Sequence, residues 1–510
     1  MSVLDALYAP VAALYVAILL ALFIYGVNFL WLTWVAARAA PTVPETVTPR
    51  RWPIVTVQLP IYNEMYVAKR LIDAAARFDY PRRRIEIQVL DDSTDETTVI
   101  AAAAVRHWRS TGLDIRHVRR PERTGFKAGA LAYGLSLARG EYVASFGADF
   151  IPGPAFLTRA LPVLSADRGL AFVQARWGHV NRDFSVLTLL QSLSIDGHMA
   201  VEQFARWRTG QWFNFNGTAG VWRTAALHDA GGWSHDTLTE DLDISYRAFL
   251  RGWRAAFLRD VEAPAELPVS YSAYRRQQHR WARGSFECAM KHLPRIWRSP
   301  IGWVRKTQAT LHLLGYSIHL LLLALSLLYP LLLLVSVRHP QVVSLFGGVT
   351  LFNLTAIAPA VLFTTAQRQL GRRWWSAIPS VLLLTVLGAG MMANTARAAL
   401  QALHRRPSVF ERTPKYGVEG EKVDWLRLRY QPRVDRLVFV EAALAALNVA
   451  TTAAAISRGT WAIAFYAALF AAGLLFSVGL TTSQAARAFW IARESGRVPV
   501  RLTSSTPDES

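Results

Sequence analysis

Two short runs of side chains have types and spacing suited to chemistry: Thr239-Glu240-Asp241 and Gln277-Gln278-His279-Arg280-Trp281. They lie 35 residues apart in the one long polar block of an otherwise apolar chain. A carboxylate such as Asp241 can take a proton from a hydroxyl. Glu240 and Asp243 beside it crowd negative charge, which raises a neighbour's pKa toward the working range of a general base. The second run combines amides for hydroxyls, a guanidinium fork for phosphate and an indole face for a sugar ring. Together they describe a base beside a floor for a sugar and a diphosphate. Each run also has a plain structural reading. Leu242, Tyr246 and Phe249 fit a helix starting at the first run, where acids commonly cap the helix or meet its dipole. The second run fits an amphipathic helix with Trp281 in a core and Arg280 in water.

The elements that must position these groups begin upstream. Residues 54–59 read as a strand, 65–77 as a helix and 85–90 as a second strand running into Asp91-Asp92-Ser93-Thr94-Asp95. Strands alternating with helices predict an α/β fold with a parallel sheet, whose ligands bind at the carboxyl ends of the strands. Asp91, Asp92 and the loop after Leu59 belong at that edge, although the acid cluster can equally cap a helix over 99–108. A strand over 142–146 ends at Gly147-Ala148-Asp149 and brings another carboxylate there. Carboxylates converging at such an edge suit Mg²⁺ or Mn²⁺, hard cations that bridge phosphate oxygens. In Thr124-Gly125-Phe126-Lys127-Ala128-Gly129-Ala130 the glycines permit close approach and Lys127 can meet a phosphate, without any Walker pattern. Asn214 to Gly220 reads as a flexible polar loop entering Val221-Trp222-Arg223.

The 510 residues are 52% hydrophobic, too apolar for an ordinary soluble protein, yet the polar block is long enough for a whole catalytic domain. The net charge of +20 suits nucleic acid in principle. With 18 Trp and several membrane-length apolar runs, basic loops beside anionic lipid account for it better, and no nucleic-acid partner is expected. The single cysteine, Cys288, excludes an intrachain disulfide and a cysteine zinc cluster and reads as a small buried side chain.

Residues 11–37 form an apolar run of about 25 residues against the roughly 20 needed to cross a bilayer. Asp5 precedes the run and Arg38, Arg50 and Arg51 follow it, so the polar block is expected inside. Further spans are expected over 310–336, 342–365, 437–456 and 460–481. The stretch 377–396 is flanked by basic residues on both sides, Arg372 and Arg373 before it and Arg405 and Arg406 after it. Laid along the interface, it leaves five spans and every basic loop on the cytoplasmic side. Residues 286–308, where Trp297, Ile301 and Trp303 alternate with Arg and Lys, read as a second interfacial helix.

In chain order, QLPIYNE (58–64), DDSTD (91–95), FKAGAL (126–131), GAD (147–149), VQARW (173–177), FNGTAGVWR (215–223), TED (239–241) and QQHRW (277–281) resemble the processive membrane glycosyltransferases of family 2. The likeness is greatest to the cellulose synthase-like A and C group and its bacterial relatives, and it covers residues 50–290. It implies a GT-A (Rossmann-like) domain between an N-terminal transmembrane helix and a C-terminal membrane bundle. It further implies inversion at the anomeric carbon, a nucleotide-sugar donor (UDP-glucose or GDP-mannose), a growing β-1,4-linked glycan as partner within a lipid bilayer, and Mg²⁺ or Mn²⁺. The implied division is an N-terminal helix and linker (1–49), a glycosyltransferase domain (50–285), an interfacial helix (286–308), a membrane bundle (309–485) containing an interfacial helix and gating loop (377–436), and a cytosolic tail (486–510). Matched by position, Asp241 is the implied base with Glu240 beside it. Tyr62, Glu64, Asp91 or Asp92, Lys127 and Arg280 hold the donor, Gln277, Trp281 and His279 the acceptor, and Asp149 the metal. Phe410, Thr413 and Lys415 belong to a segment like the family's FxVTxK gating loop, with Arg412 where Val is usual. Gly147 replaces the first Asp of the family's Asp-x-Asp, so Asp149 is left as the motif's one metal carboxylate. The resemblance implies a bacterial inner-membrane or Golgi enzyme whose product is extruded. A non-processive enzyme adding one sugar to a lipid is the alternative of the same fold, and a transporter or scaffold that only binds nucleotide sugar is one of another class.

Overall fold

The computed structural model describes residues 3–39, 44–339, 354–404, 411–419, 423–430, 434–494 and 502–503. Seven strands form one open sheet: β1 (Val55–Ile61), β2 (Ile85–Asp91), β3 (Ile115–Val118), β4 (Tyr142–Ser145), β5 (Leu170–His179), β6 (Gly220–Arg223) and β7 (Arg254–Ala265), in the order β3-β2-β1-β4-β6-β5-β7. β1 to β4 pair in parallel, as do β5 and β7, and only β6 runs against its neighbours. The fold is therefore the mixed α/β sheet expected of a GT-A domain. β1 and β2 are buried on both faces, which is why they read as continuous apolar runs rather than alternating ones. Their inward polar residues pair across the ladder: Thr56 donates to Glu86 at 2.5 Å, and Gln58 to Gln88 at 3.2 Å.

This topology sends the carboxyl ends of the parallel strands and the start of β6 to one edge. Helices Ala68–Ala76 and Thr97–Ser110 are shorter or shifted relative to 65–77 and 99–108 but occupy the expected places. One core lies on a single face of the sheet. The other is continuous with the membrane part, since Leu32 and Ala36 of the first helix and Leu362 and Ala366 share a cluster with Phe204, Phe213 and Trp222. Burying such side chains contributes about 1.5–3 kcal/mol each for the larger ones, so the sheet domain is anchored to the apolar helices by its own core.

Among the described residues four helices are long and apolar enough to cross a membrane: Asp5–Arg38, Ser317–Ser336, Leu437–Ser457 and Trp461–Ile491. The expected span 342–365 lies partly outside the described residues, and its described remainder includes a helix at Ala358–Gln369. The stretch expected along the interface is a pair of helices, Trp374–Gly390 and Met392–Leu403, bent by 43°. Residues on both sides of that bend touch the sheet domain. Arg372 lies 2.5 Å from Asp196, and Asn394 donates to the Arg275 carbonyl at 3.1 Å. One correction concerns 286–308, which is not a single helix. Tyr271–Arg298 is one 28-residue helix, and a second, Trp303–Leu313, follows the break at Ser299-Pro300-Ile301-Gly302. Proline has no N–H to continue the first helix and ends it there.

Candidate active site

The run Thr239-Glu240-Asp241 opens the helix Glu240–Leu250, and Gln277-Gln278-His279-Arg280-Trp281 lies in the second turn of Tyr271–Arg298, whose start is capped by Ser270. The two helices meet where the second carries no side chain. A Cβ on Gly284 would lie 2.5 Å from Thr239 Cγ2. Glu287 accepts from the Leu238 N–H at 2.8 Å, and Asp243, fully buried, is held by His292 at 2.8 Å, Lys291 at 2.6 Å and Arg247 at 2.8 Å. These contacts keep Asp243 ionised, its carboxyl well below the usual range despite burial. Asp243 thus locks the first motif to the helix of the second and stays out of the cavity.

That junction forms one wall of a cavity of about 200 Å³ at the carboxyl edge of the sheet. Tyr62, Glu64, Asp92, Lys127, Asp149, Glu240, Asp241, Gln277, Arg280, Trp281, Thr413 and Lys415 all line it. Two sequence candidates do not. Asp91, the last residue of β2, points the other way, as alternate strand residues must, and is buried on His117 at 2.8 Å and the Ser93 N–H at 2.9 Å. Asp92 faces the cavity, with both oxygens on Arg120 at 2.8 and 2.6 Å. His279 is the second correction. Gln277, Arg280 and Trp281 stand at i, i+3 and i+4 and share a helix face, whereas His279 is two residues from Gln277 and faces away toward Arg397 and Asp435. Phe410 lies outside the described residues.

Asp241 is half-buried between the cavity walls, and that desolvation, with the charge of Glu240, lifts its carboxyl to about 7. Lys127 works against the shift; it pairs with Glu240 at 2.7 Å and donates to the Gly217 carbonyl at 2.9 Å. Gly217 has φ +76°, and a Cβ there would lie 2.8 Å from both Asp241 Oδ2 and Lys127 Nζ, so the residue must be glycine for both groups to fit. Burial lifts Glu64 to about 8, and Arg412, 3.3 Å away, only partly offsets it. The unexpected Arg412 also caps the Tyr430 ring at 3.9 Å and bonds the Asn63 carbonyl, closing the segment 411–418 over the cavity. Farther along, Lys415 places its ammonium 2.5 Å from Asp149 and on the Glu266 carbonyl. In this conformation a side-chain cation occupies the Asp149 carboxylate.

Among the described residues no three His, Cys, Asp or Glu side chains converge on one point. A hard divalent cation in a phosphate site takes one or two carboxylates and completes its shell with substrate oxygens and water, so Asp149 fits that mode once Lys415 withdraws. Sequence reading missed Glu266, Arg123, Trp177 and Thr218, which line the cavity too. Glu266 follows the last residue of β7, and that same strand-end position was signal enough. Arg123 lies over the Tyr62 ring at 3.4 Å, a pairing that sequence alone does not reveal.

A second cavity of about 380 Å³ shares Trp177, Asn216, Thr239, Asp241, Gln277 and Trp281 with the first and opens between the apolar helices, where Tyr25, Asn28 and Tyr316 line it. Asp241 thus stands at the partition between a chamber lined by charged side chains of both signs on the sheet side and an aromatic one on the membrane side.

Residues 52–284 match the family described as Glycosyltransferase like family 2. Glucomannan 4-beta-mannosyltransferase 2 of Arabidopsis thaliana is 44% identical over 259 residues, 50% of this chain and 48% of that one. Probable glucomannan 4-beta-mannosyltransferase 7 of Oryza sativa subsp. japonica is 46% identical over 237 residues, 46% of this chain and 40% of that one. The matches thus span about half the length of these curated relatives or less. Among solved structures, the mannosyltransferase PcManGT from Pyrobaculum calidifontis, in complex with GDP-Man and Mn²⁺, aligns over 78% of this chain and 100% of its own at 24% identity, with a TM-score of 0.49.

Proposed function

We propose that the protein, whose residues 52–284 match the family 2 glycosyltransferase model, is an inverting, processive membrane glycosyltransferase. It polymerises hexose from a nucleotide sugar into a β-1,4-linked glycan and passes the chain into the membrane bundle. The plant relatives are mannosyltransferases by name, which favours a mannosyl donor such as GDP-mannose over UDP-glucose. The observation that carries the reading is the position of Asp241, between the chamber that holds Lys127, Arg280 and Asp149 and the aromatic one.

In this mechanism the nucleoside diphosphate lies among Lys127, Arg280 and the Tyr62–Arg123 stack, with Asp92 and Glu64 toward the nucleoside. Gln277 and Trp281 floor the acceptor sugar. Its hydroxyl approaches Asp241, gives up its proton to the carboxylate and attacks the anomeric carbon as the bond to the diphosphate breaks on the opposite face. Negative charge grows on the leaving group, so Lys127 and Arg280 stabilise the transition state more than the ground state. A divalent cation, Mg²⁺ or Mn²⁺, held by Asp149 and the phosphate oxygens would supply further positive charge there. Glu240 keeps Lys127 aimed at the chamber and keeps the Asp241 pKa high enough for a base.

The test is Asp241→Asn in the full chain. Removing a general base lowers turnover by about 10²- to 10⁴-fold, while binding of the nucleotide sugar, measured calorimetrically, stays near the parent value. Near-normal diphosphate release by this variant would refute the assignment. Product length on a gel distinguishes polymerisation from transfer of a single sugar.

A further inference from the structure

The aromatic chamber holds a titratable pair that the mechanism leaves unused. His198 and Glu202 both line it, one helical turn apart, with Nδ1 and Oε1 4.0 Å from each other. They lie on His198–Gln203, where the helix widens into π geometry. A π-turn rotates side chains off their α-helical positions and recurs at functional sites. Burial holds His198 near 4, so its ring is neutral with one donor and one acceptor, and burial lifts Glu202 to about 7. The buried Arg206 beside them bonds the Gln308 carbonyl at 3.2 Å. His198 Nε2 lies 3.3 Å from Asn216 Nδ2, which ties the pair to the loop opposite Asp241. An apolar lining would avoid the desolvation of these groups, so polar groups kept in such a chamber point to a ligand rich in hydroxyls.

We infer that His198 and Glu202 form an acceptor subsite that hydrogen-bonds ring hydroxyls of the glycan one sugar behind its reacting end. The inference rests on the transferase reading and adds to it the residues that fix acceptor register. Aromatic faces at Trp177 and Trp281 let a sugar ring slide and rotate in its plane. Two polar groups set at a fixed spacing do not, and a site built to pair a hydroxyl rejects a ring that lacks it.

The experiment uses the full chain in lipid nanodiscs with Glu202→Ala, Glu202→Gln and His198→Ala. Two quantities are measured: diphosphate release from the donor into water without acceptor, and binding of β-1,4-linked manno-oligosaccharides by tryptophan fluorescence. Both alanine variants should weaken oligosaccharide binding about five- to tenfold, the effect of a lost hydrogen bond, with release into water unchanged within about twofold. Glu202→Gln, which keeps acceptor and donor atoms, should recover most of the affinity. Unchanged oligosaccharide binding in both alanine variants overturns the subsite, as does a parent chain that binds no oligosaccharide. Loss of release into water in parallel with binding also overturns it, because that marks a structural role. Failure of the transferase reading shows separately, as a parent chain that releases no diphosphate from any donor.

Discussion

Asp241 acts as a base only when ionised, and burial together with the charge of Glu240 keeps its proton on up to about pH 7. Turnover should therefore rise with pH and level off above about 7, falling roughly tenfold per unit below that as the carboxylate is titrated away. Glu240→Gln removes the repulsion and should move this acid limb to lower pH, which a pH–rate profile reads directly. Gly147→Asp asks whether the metal site is one carboxylate short. The new Cβ would lie 3.1 Å from Asp149 Oδ1, a tight contact to which the Asp149 side chain must yield, with the two acids then side by side. The Mn²⁺ concentration for half-maximal activity should fall in this variant; an unchanged or higher value rejects the one-carboxylate account. At this scale the sequence left Asp91 and Asp92 open, because adjacent residues at a strand end differ only in which way they face. His279, by contrast, was separable from Gln277, Arg280 and Trp281 by helix periodicity alone.

At the scale of elements, the contact of Glu240–Leu250 with Tyr271–Arg298 depends on Gly284. Gly284→Val should drive Thr239 away, with an overpacking cost of about 1–3 kcal/mol and loss of transfer beyond what that destabilisation explains. Thermal unfolding and activity measured together separate the two effects. The segment 411–418 lies over the cavity: with Lys415→Ala the Asp149 carboxylate loses its resident ammonium, so the metal requirement should be met at lower concentration while the maximal rate falls. The strands β1, β2 and β4 and the helix start at Glu240 were legible because strand ends and helix starts leave local signals, whereas β3, β5, β6 and β7 were not named from sequence. The length of Tyr271–Arg298 was not legible either, because its polar first half and its Trp- and Arg-rich second half look like different environments. The stop signal, Ser299-Pro300 ahead of Gly302, was nevertheless in plain view.

For the whole molecule, contacts sort the helix ends into two groups. Gln369 bonds the Ala36 carbonyl at 3.0 Å and Gln484 the Tyr271 N–H at 2.8 Å, which puts residues 36, 369 and 484 beside the sheet domain. Asp5 lies 3.1 Å from His339, and Arg458 is bonded to the Leu333 carbonyl at 2.5 Å, which gathers the opposite ends. With Cys288 buried and no other cysteine in the chain, a cysteine introduced by substitution reports its own side of a sealed vesicle. Ser376→Cys and His404→Cys should react with an impermeant maleimide from the domain side, and Ser457→Cys from the far side only. Reaction of residues 376 and 404 from opposite sides would make the bent pair a full crossing. Charge patterning predicts a two-sided arrangement of this kind, which the labelling tests; the docking of the bundle onto the domain through Leu32 and Ala36 did not show in it, because one apolar helix face looks the same against lipid as against protein. The Gly284–Thr239 contact, with Asp243 clasped by His292 and Lys291, has a consequence for recombination among relatives. Residues 239–292 have to be exchanged as one block, so crossovers placed inside it should yield inactive chimaeras, whereas crossovers at 299–302 should exchange bundles between functional parents.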